Sequence, residues 1–303
     1  SPEFRSAFLL DENLLAGLSI GEIGVLYEFS VSWQNHESRK ENGQFFTPDD
    51  VAIFMAKEAK KFPKGVWLDP CSGIGNLSWH LASMQSDPEN FCMSSLILSD
   101  RDATALLIAR TIFTVSFQRK IKNFFHRLEN NFVTFDFLSV SDRPPLEGLT
   151  DKGASLEQIP KHDFVLVNPP YLATNRDSKF ELSDCADLYA YFLENIIKTS
   201  RGFVSVTPQS FTNASKFSSL RAMLLRKKLS LDIYNFDNVP GNLFRGFKFG
   251  SKNSNTSNSI RASIMVARQG KDLSYRITPL LRWRSAERSD LMSRLPEFLT
   301  PVS

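Results

Sequence analysis

Cysteine is scarce in this chain. Of 303 residues only Cys71, Cys92 and Cys185 are thiols, and none belongs to a C-x-x-C pair. Thiols so few and scattered exclude a disulfide framework and offer neither a zinc nor a dithiol redox site; a reducing, cytoplasmic setting is the simplest expectation. His36, His80, His126 and His162 stand isolated, with no second ligand at metal spacing, so no metal is expected and their roles are packing or surface. No apolar run approaches the roughly 20 residues of a membrane span, and the start lacks a signal-peptide layout. An initiator Met is also missing. Ser1-Pro2-Glu3-Phe4 reads as a cloning scar, which makes the chain a fragment in expectation. Charge of one sign is not in excess overall, 36 Lys+Arg against 33 Asp+Glu, which excludes a polycation or an acidic disordered tail. The balance hides an asymmetry: residues 240–303 carry 11 Lys+Arg and 4 Asp+Glu, leaving 25 and 29 for residues 1–239.

What is present alternates. Short apolar runs at 66–68, 95–98, 132–135, 164–167 and 202–206 read as buried strands, and residues 76–84, 103–117 and 187–199 between them have helical spacing. Such alternation implies an α/β fold, a doubly wound and mostly parallel sheet. Residues 230–236 and 259–267 have no long helical pattern between them and are expected to form an antiparallel pair closing one edge. Residues 8–35 read as an N-terminal helical extension, and the small polar stretch 250–259 as a loop. Three units follow: a helical segment 1–42, a catalytic domain 43–270, and a basic segment 271–303 that leads into a further domain.

Chemistry concentrates where strands end. Asp69-Pro70-Cys71-Ser72-Gly73-Ile74-Gly75-Asn76 places an acid, then two glycines, then a helix after the first strand, which lets backbone N–H groups approach a nucleotide-like ligand. The dinucleotide pattern G-x-G-x-x-G is lacking, because Ser78 holds its third place, so another adenosyl ligand is favoured over NAD. The second strand ends in Ser99-Asp100-Arg101-Asp102, where one acid suits ribose hydroxyls and Asp102 caps the next helix. The third ends in Asp136-Phe137, an acceptor and a ring suited to an adenine. The fourth runs into Asn168-Pro169-Pro170-Tyr171. Two prolines stiffen that turn and remove donors, so the Asn168 side-chain oxygen and the Pro169 carbonyl project as acceptors with nothing local to satisfy them, suited to an exocyclic amine. The clusters Arg119-Lys120-Ile121-Lys122 and Arg226-Lys227-Lys228 read mainly as solvated helix ends, with phosphate contact as the alternative.

Asn-Pro-Pro-Tyr after Asp-Pro-x-x-Gly-x-Gly resembles the amino-methylating S-adenosylmethionine-dependent methyltransferases. With Gly43-Gln44-Phe45-Phe46-Thr47-Pro48 ahead of the cofactor turn, the chain is similar to the γ-class adenine-N6 DNA methyltransferases of restriction-modification systems. Asp187-Leu188-Tyr189-Ala190-Tyr191-Phe192 and the strand 202–211 ending in Pro-x-x-Phe extend the resemblance, which covers about residues 43–267. It implies a seven-stranded Rossmann-like sheet and S-adenosylmethionine as cofactor. Phe45 and Phe46 would close over its methionine end, Thr47 and Asp69 hold its amino-acid end, and Cys71, Gly73 and Gly75 form the turn beneath it. Asp100 with Arg101 would meet the ribose, and Asp136 with Phe137 the adenine. Asn168, Pro169, Pro170 and Tyr171 would receive a flipped base in double-stranded DNA. Among Phe244, Phe247 and Phe249, Phe247 is favoured as the second ring stacking on that base. Two departures stand out: Cys71-Ser72 replaces the commoner Ala-Cys, and Asp100 replaces Glu. RNA-base or protein-glutamine methylation, and a module dependent on a separate recognition domain or subunit, are the rival readings.

Overall fold

The computed structural model describes residues 17–34, 47–141, 154–244, 260–270 and 272–302. Its main sheet has nine strands in the order β11-β10-β8-β9-β7-β6-β1-β2-β3. They are β1 (Trp67–Asp69), β2 (Leu96–Asp100), β3 (Phe132–Thr134), β6 (Phe164–Val167), β7 (Gly202–Pro208), β8 (Ser230–Phe236), β9 (Ala262–Arg268), β10 (Tyr275–Leu281) and β11 (Thr300–Pro301). Two-residue strands β4 (Val140–Ser141) and β5 (Ala154–Ser155) pair separately. From β3 to β7 every pairing is parallel; β9 runs antiparallel to both β7 and β8.

The central strands are covered on both faces. All four residues of β6 and the first six of β7 are buried, so their apolar runs are continuous instead of alternating. The helices of seven residues or more are α1 (Ile20–Gln34), α2 (Asp49–Lys60), α3 (Asn76–Ser83), α4 (Pro88–Ser94), α5 (Ala103–Phe117), α6 (Leu188–Thr199), α7 (Ser218–Arg226) and α8 (Arg288–Arg294), of which α3 to α7 lie in the crossovers between parallel strands. Strand order advances one way from β1 to β3 and the other way from β6 to β7. Right-handed crossovers therefore place their helices on opposite faces and leave a crevice between the carboxyl ends of β1 and β6.

Local chemistry sets the helix starts. Asp102 caps α5, accepting from Thr104 N at 2.8 Å and Ala105 N at 3.3 Å, as read from its position. Asp87 does the same for α4, accepting from Asn90 N at 3.1 Å, with Pro88 in the first turn. α2 and α7 escaped the periodicity reading. In α2 the buried positions Val51, Ala52, Phe54, Met55, Ala56, Glu58 and Ala59 wrap too far round the helix to form one stripe.

The C-terminal part differs from expectation. β8 and β9 do not close the sheet; β10 pairs parallel with β8, and β11 pairs antiparallel with β10. Nine strands thus stand where seven were expected, and part of the basic segment is sheet edge. Three arginines of residues 262–294 turn onto carboxylates of the chain. Arg276 is bidentate on Asp232, Arg268 bridges Asp232 and Glu58, and Arg288 is bidentate on Asp50. A charge count cannot see this pairing. No helix among the described residues is long and apolar enough to cross a membrane.

Candidate active site at the carboxyl rim of the sheet

The turn after β1 is built on two glycines in the left-handed region, Gly73 at φ 53° and Gly75 at φ 85°. A Cβ on Gly75 would lie 2.9 Å from both Leu98 Cδ2 and Phe113 Cε2, so the turn must pass flat over β2 and α5. Around Gly73 the space is open, with nothing within 4 Å of such a Cβ. Asp100, at the end of β2, reaches back to this turn: its Oδ2 accepts from Gly73 N at 2.8 Å and its Oδ1 from Asp102 N at 2.9 Å. Burial pushes the Asp100 carboxyl up. Arg101 is exposed beside it.

Asp69 is the most perturbed acid of the turn. It is 2% exposed, and burial pushes its carboxyl up to about 7, against the downward pull of Ser78 and the further upward push of Asp100. Ser78 Oγ donates to its Oδ2 at 2.9 Å, whereas Oδ1 is buried without a well-formed hydrogen bond from the described residues. Ser78, the residue that spoils the dinucleotide fingerprint, is thus the residue that orients Asp69. A buried carboxylate oxygen with spare capacity fits a cationic amine, and the open backbone at Gly73 fits close approach of a sugar. The donor set therefore suits the amino-acid and ribose ends of S-adenosylmethionine.

Thr47 joins this turn to the end of β6. Its carbonyl accepts from Asn76 Nδ2 at 2.7 Å, at the start of α3, and its hydroxyl accepts from Asn168 Nδ2 at 2.9 Å. Asn76 was missed in the sequence, where an Asn after Gly75 looks like a cap and nothing marks a partner 29 residues upstream. The expectation that the Asn168 oxygen lacks a local partner is corrected: Tyr171 Oη lies 2.7 Å from Asn168 Oδ1 and 2.8 Å from Val206 O. The turn through Pro169 and Pro170 folds the chain back far enough for the residue three positions on to reach it. Cys71 Sγ is 3.2 Å from the Asn168 carbonyl, so the two turns touch directly; burial pushes the thiol up.

The remaining expected residues divide. The Phe137 ring is 1% exposed and stacks on Phe192 at 5.4 Å, so the ring expected beside the cofactor adenine faces the core. Asn195 Nδ2 holds the Phe137 carbonyl at 2.9 Å, which fixes that inward turn. Asp136 is exposed, and its Oδ1 accepts from Leu138 N at 3.0 Å. Tyr171 is 8% exposed and meets Phe244 edge-on at 5.9 Å. Phe45, Phe46 and Phe247 lie outside the described residues. Tyr27 of α1 was not anticipated; its hydroxyl donates to Asp102 Oδ2 at 2.6 Å and ties the N-terminal helix to the rim.

Residues 91–241, about half of the chain, match the family model of the Eco57I restriction-modification methylases. That segment belongs to the restriction-modification methylase family. Three solved structures share the methylase fold. A DrdV–DNA complex superposes with a TM-score of 0.67 at 17% identity, covering 95% of this chain and 33% of that one. The methyltransferase subunit of a type I restriction-modification system from Streptococcus thermophilus gives 0.56 at 15%, covering 99% and 63%. A Listeria monocytogenes protein, provisionally described as a class I S-adenosylmethionine-dependent methyltransferase, gives 0.55 at 14%, covering 98% and 84%. This chain spans about a third of the DrdV chain. No curated protein sequence matches it significantly. Without β10 and β11 the main sheet would have seven strands in the order β3-β2-β1-β6-β7-β9-β8.

Proposed function

We propose that this chain transfers a methyl group from S-adenosylmethionine to the exocyclic N6 amine of an adenine flipped out of double-stranded DNA. The observation that carries the reading is the joining of Thr47, Asp69 and Asn168 at one crevice, through Asn76, Ser78 and Tyr171. Asp69 would hold the cofactor's amine, and the Thr47 hydroxyl proton, left over after accepting from Asn168, would serve its carboxylate. Asp100 would meet the ribose with the lone pairs that Gly73 and Asp102 leave. The bound cofactor supplies an electrophilic methyl on a sulfonium.

The chain's own residues do the rest by orientation. The N6 lone pair is delocalised into the adenine ring and is a poor nucleophile. If Asn168 Oδ1 and the Pro169 carbonyl accept the two N6 hydrogens, the nitrogen is drawn towards a tetrahedral shape with its lone pair turned out of the ring plane. Asn168 stays neutral at any working pH, so it contributes a fixed dipole. Thr47 on its Nδ2 and Tyr171 on its Oδ1 hold the amide from both ends, and the target amine would enter at the remaining lone pair of Oδ1. Flipping the base costs a few kcal/mol, offset by stacking and backbone contacts.

Asn168→Ala tests the assignment. With labelled cofactor and duplex DNA, transfer should vanish while cofactor affinity persists; a variant retaining most activity refutes the role. A second reading, a methylase module that needs a separate recognition element, is favoured by the third of the DrdV chain that this chain spans. Cofactor binding without transfer to any duplex would select it.

A further inference from the structure

Arg268, Arg276 and Arg288 each spend two guanidinium nitrogens on carboxylates of the chain, but Arg261 and Arg282 spend only one. Asp237, just after β8, is 2% exposed in its side chain and receives Arg261 Nε on Oδ1 at 2.9 Å and Arg282 Nε on Oδ2 at 2.5 Å. Both arginines use only Nε. Their terminal Nη groups have no partner among the described residues, and the side chains are 50% and 65% exposed. By contrast Arg276 and Arg288 are bidentate on one carboxylate each, and Arg268 bridges two. Two cations share one buried anion here, so the cluster carries a surplus positive charge.

Topology decides where that charge sits. Pro208 at the carboxyl end of β7 and Phe236 at that of β8 both pair with Ala262 at the start of antiparallel β9, and Leu281 at the end of β10 pairs with Phe236. Arg261, Asp237 and Arg282 are therefore on the carboxyl rim, the rim that carries Asn168 at the end of β6. Backbone bonds hold them: Gln209 N donates to Arg261 O, and Asp237 N to Leu281 O, each at 2.8 Å. Gln209, Ser210, Asn213 and Asn238 line the adjoining cleft with Arg261, all neutral donors and acceptors. The basic runs noted in the sequence point elsewhere. Arg119 follows α5 and Arg226 ends α7, helices whose C-termini return to the amino end of the sheet, and Arg226 is bound by Glu181.

We infer that Arg261 and Arg282, anchored side by side on Asp237, bind successive phosphates of the DNA backbone next to the base held at Asn168. The inference rests on the methyltransferase reading for its choice of DNA. Anchoring through Nε removes the side-chain freedom that a phosphate contact ordinarily has to overcome, and leaves each Nη pair as a fork for phosphate oxygens. Neutral polar groups in the cleft suit sugar and phosphate contacts without reading sequence.

The test measures affinity for a labelled duplex from about 50 to about 200 mM salt. Wild type is compared with Arg261→Gln, Arg282→Gln, and Arg261→Gln/Arg282→Gln/Asp237→Asn, in which no unpaired carboxylate is left buried. Each lost contact should flatten the slope of log K against log salt by about 0.9, and the triple variant by about twice that. Cofactor affinity and melting temperature should stay near wild type. Folded variants with the wild-type slope overturn the inference, as does equal competition by duplex RNA. If no adenine is methylated and yet the slopes flatten, the surface stands and the chemistry falls; methylation with unchanged slopes gives the reverse.

Discussion

If Asp69 holds the cofactor's amine as proposed, its ionisation couples pH to cofactor binding with a sign that can be worked out. Its carboxyl, raised by burial to about 7 in the folded chain, is about nine-tenths protonated at pH 6. Pairing with a cationic amine requires the carboxylate. Each pH unit below 7 therefore costs about 1.4 kcal/mol, a tenfold loss of affinity, and the affinity levels off above 7. Binding at pH 6 should release close to one proton, and binding at pH 8 almost none. Titration calorimetry of S-adenosylmethionine between pH 5.5 and 7.5, in buffers of differing ionisation enthalpy, reads both quantities. Asp69→Asn should weaken binding by about 2 to 3 kcal/mol, roughly 30- to 150-fold. The same substitution should act oppositely on the ligand-free fold. A carboxyl whose folded value lies above its unfolded one stabilises fully only below the unfolded value, and that stability is lost as pH rises towards 7. The loss is at most about 4 kcal/mol. At pH 8 the Asn variant, free of that burden, should melt higher than wild type. Affinity flat across pH 5.5 to 7.5, or an Asn variant that binds as well as wild type, would refute the assignment of Asp69 to the amine.

Two further substitutions probe the same crevice. Tyr171→Phe removes the hydroxyl whose single proton lies within reach of both Asn168 Oδ1 and Val206 O; turnover should fall several-fold with cofactor affinity unchanged, and stability should drop by about 1 to 2 kcal/mol because whichever acceptor that proton serves loses its donor. Steady-state kinetics beside a denaturant titration checks both. Gly75→Ala puts a Cβ at 2.9 Å from Leu98 and Phe113 on a residue at φ 85°. A loss of about 1 to 3 kcal/mol is expected, together with weaker cofactor binding; an unchanged melting curve would show that the turn is not held flat.

Much of the fold was legible because its signals are local. Continuous apolar runs mark β6 and β7, since strands covered on both faces have no polar side to show, and an Asp before Ala103 marks the start of α5 by its own hydrogen bonds. Motif spacing likewise placed Asp69, Gly73, Asp100 and Asn168 at or just after the ends of β1, β2 and β6, where the structure has them, because strand ends are visible in sequence. Illegible were the contacts across long separations. Thr47 meets Asn168 over 121 residues and Arg288 meets Asp50 over 238, and no periodicity encodes such a partner.

The amino-acid sequence by itself determined the order of the central strands and the helices between β1 and β7, the glycine turn and the proline-stiffened Asn168, since each depends on neighbours within a few residues. Charge is where tertiary structure decided against the count. The surplus of residues 240–303 looks uniform along the chain, yet folding spends two guanidinium nitrogens each of Arg268, Arg276 and Arg288 on carboxylates of β8 and α2, while Arg261 and Arg282 spend only Nε on Asp237 at the carboxyl rim. The reason is geometric: which cation is spent on a partner depends on which strands lie side by side, and that is settled only when β10 joins β8.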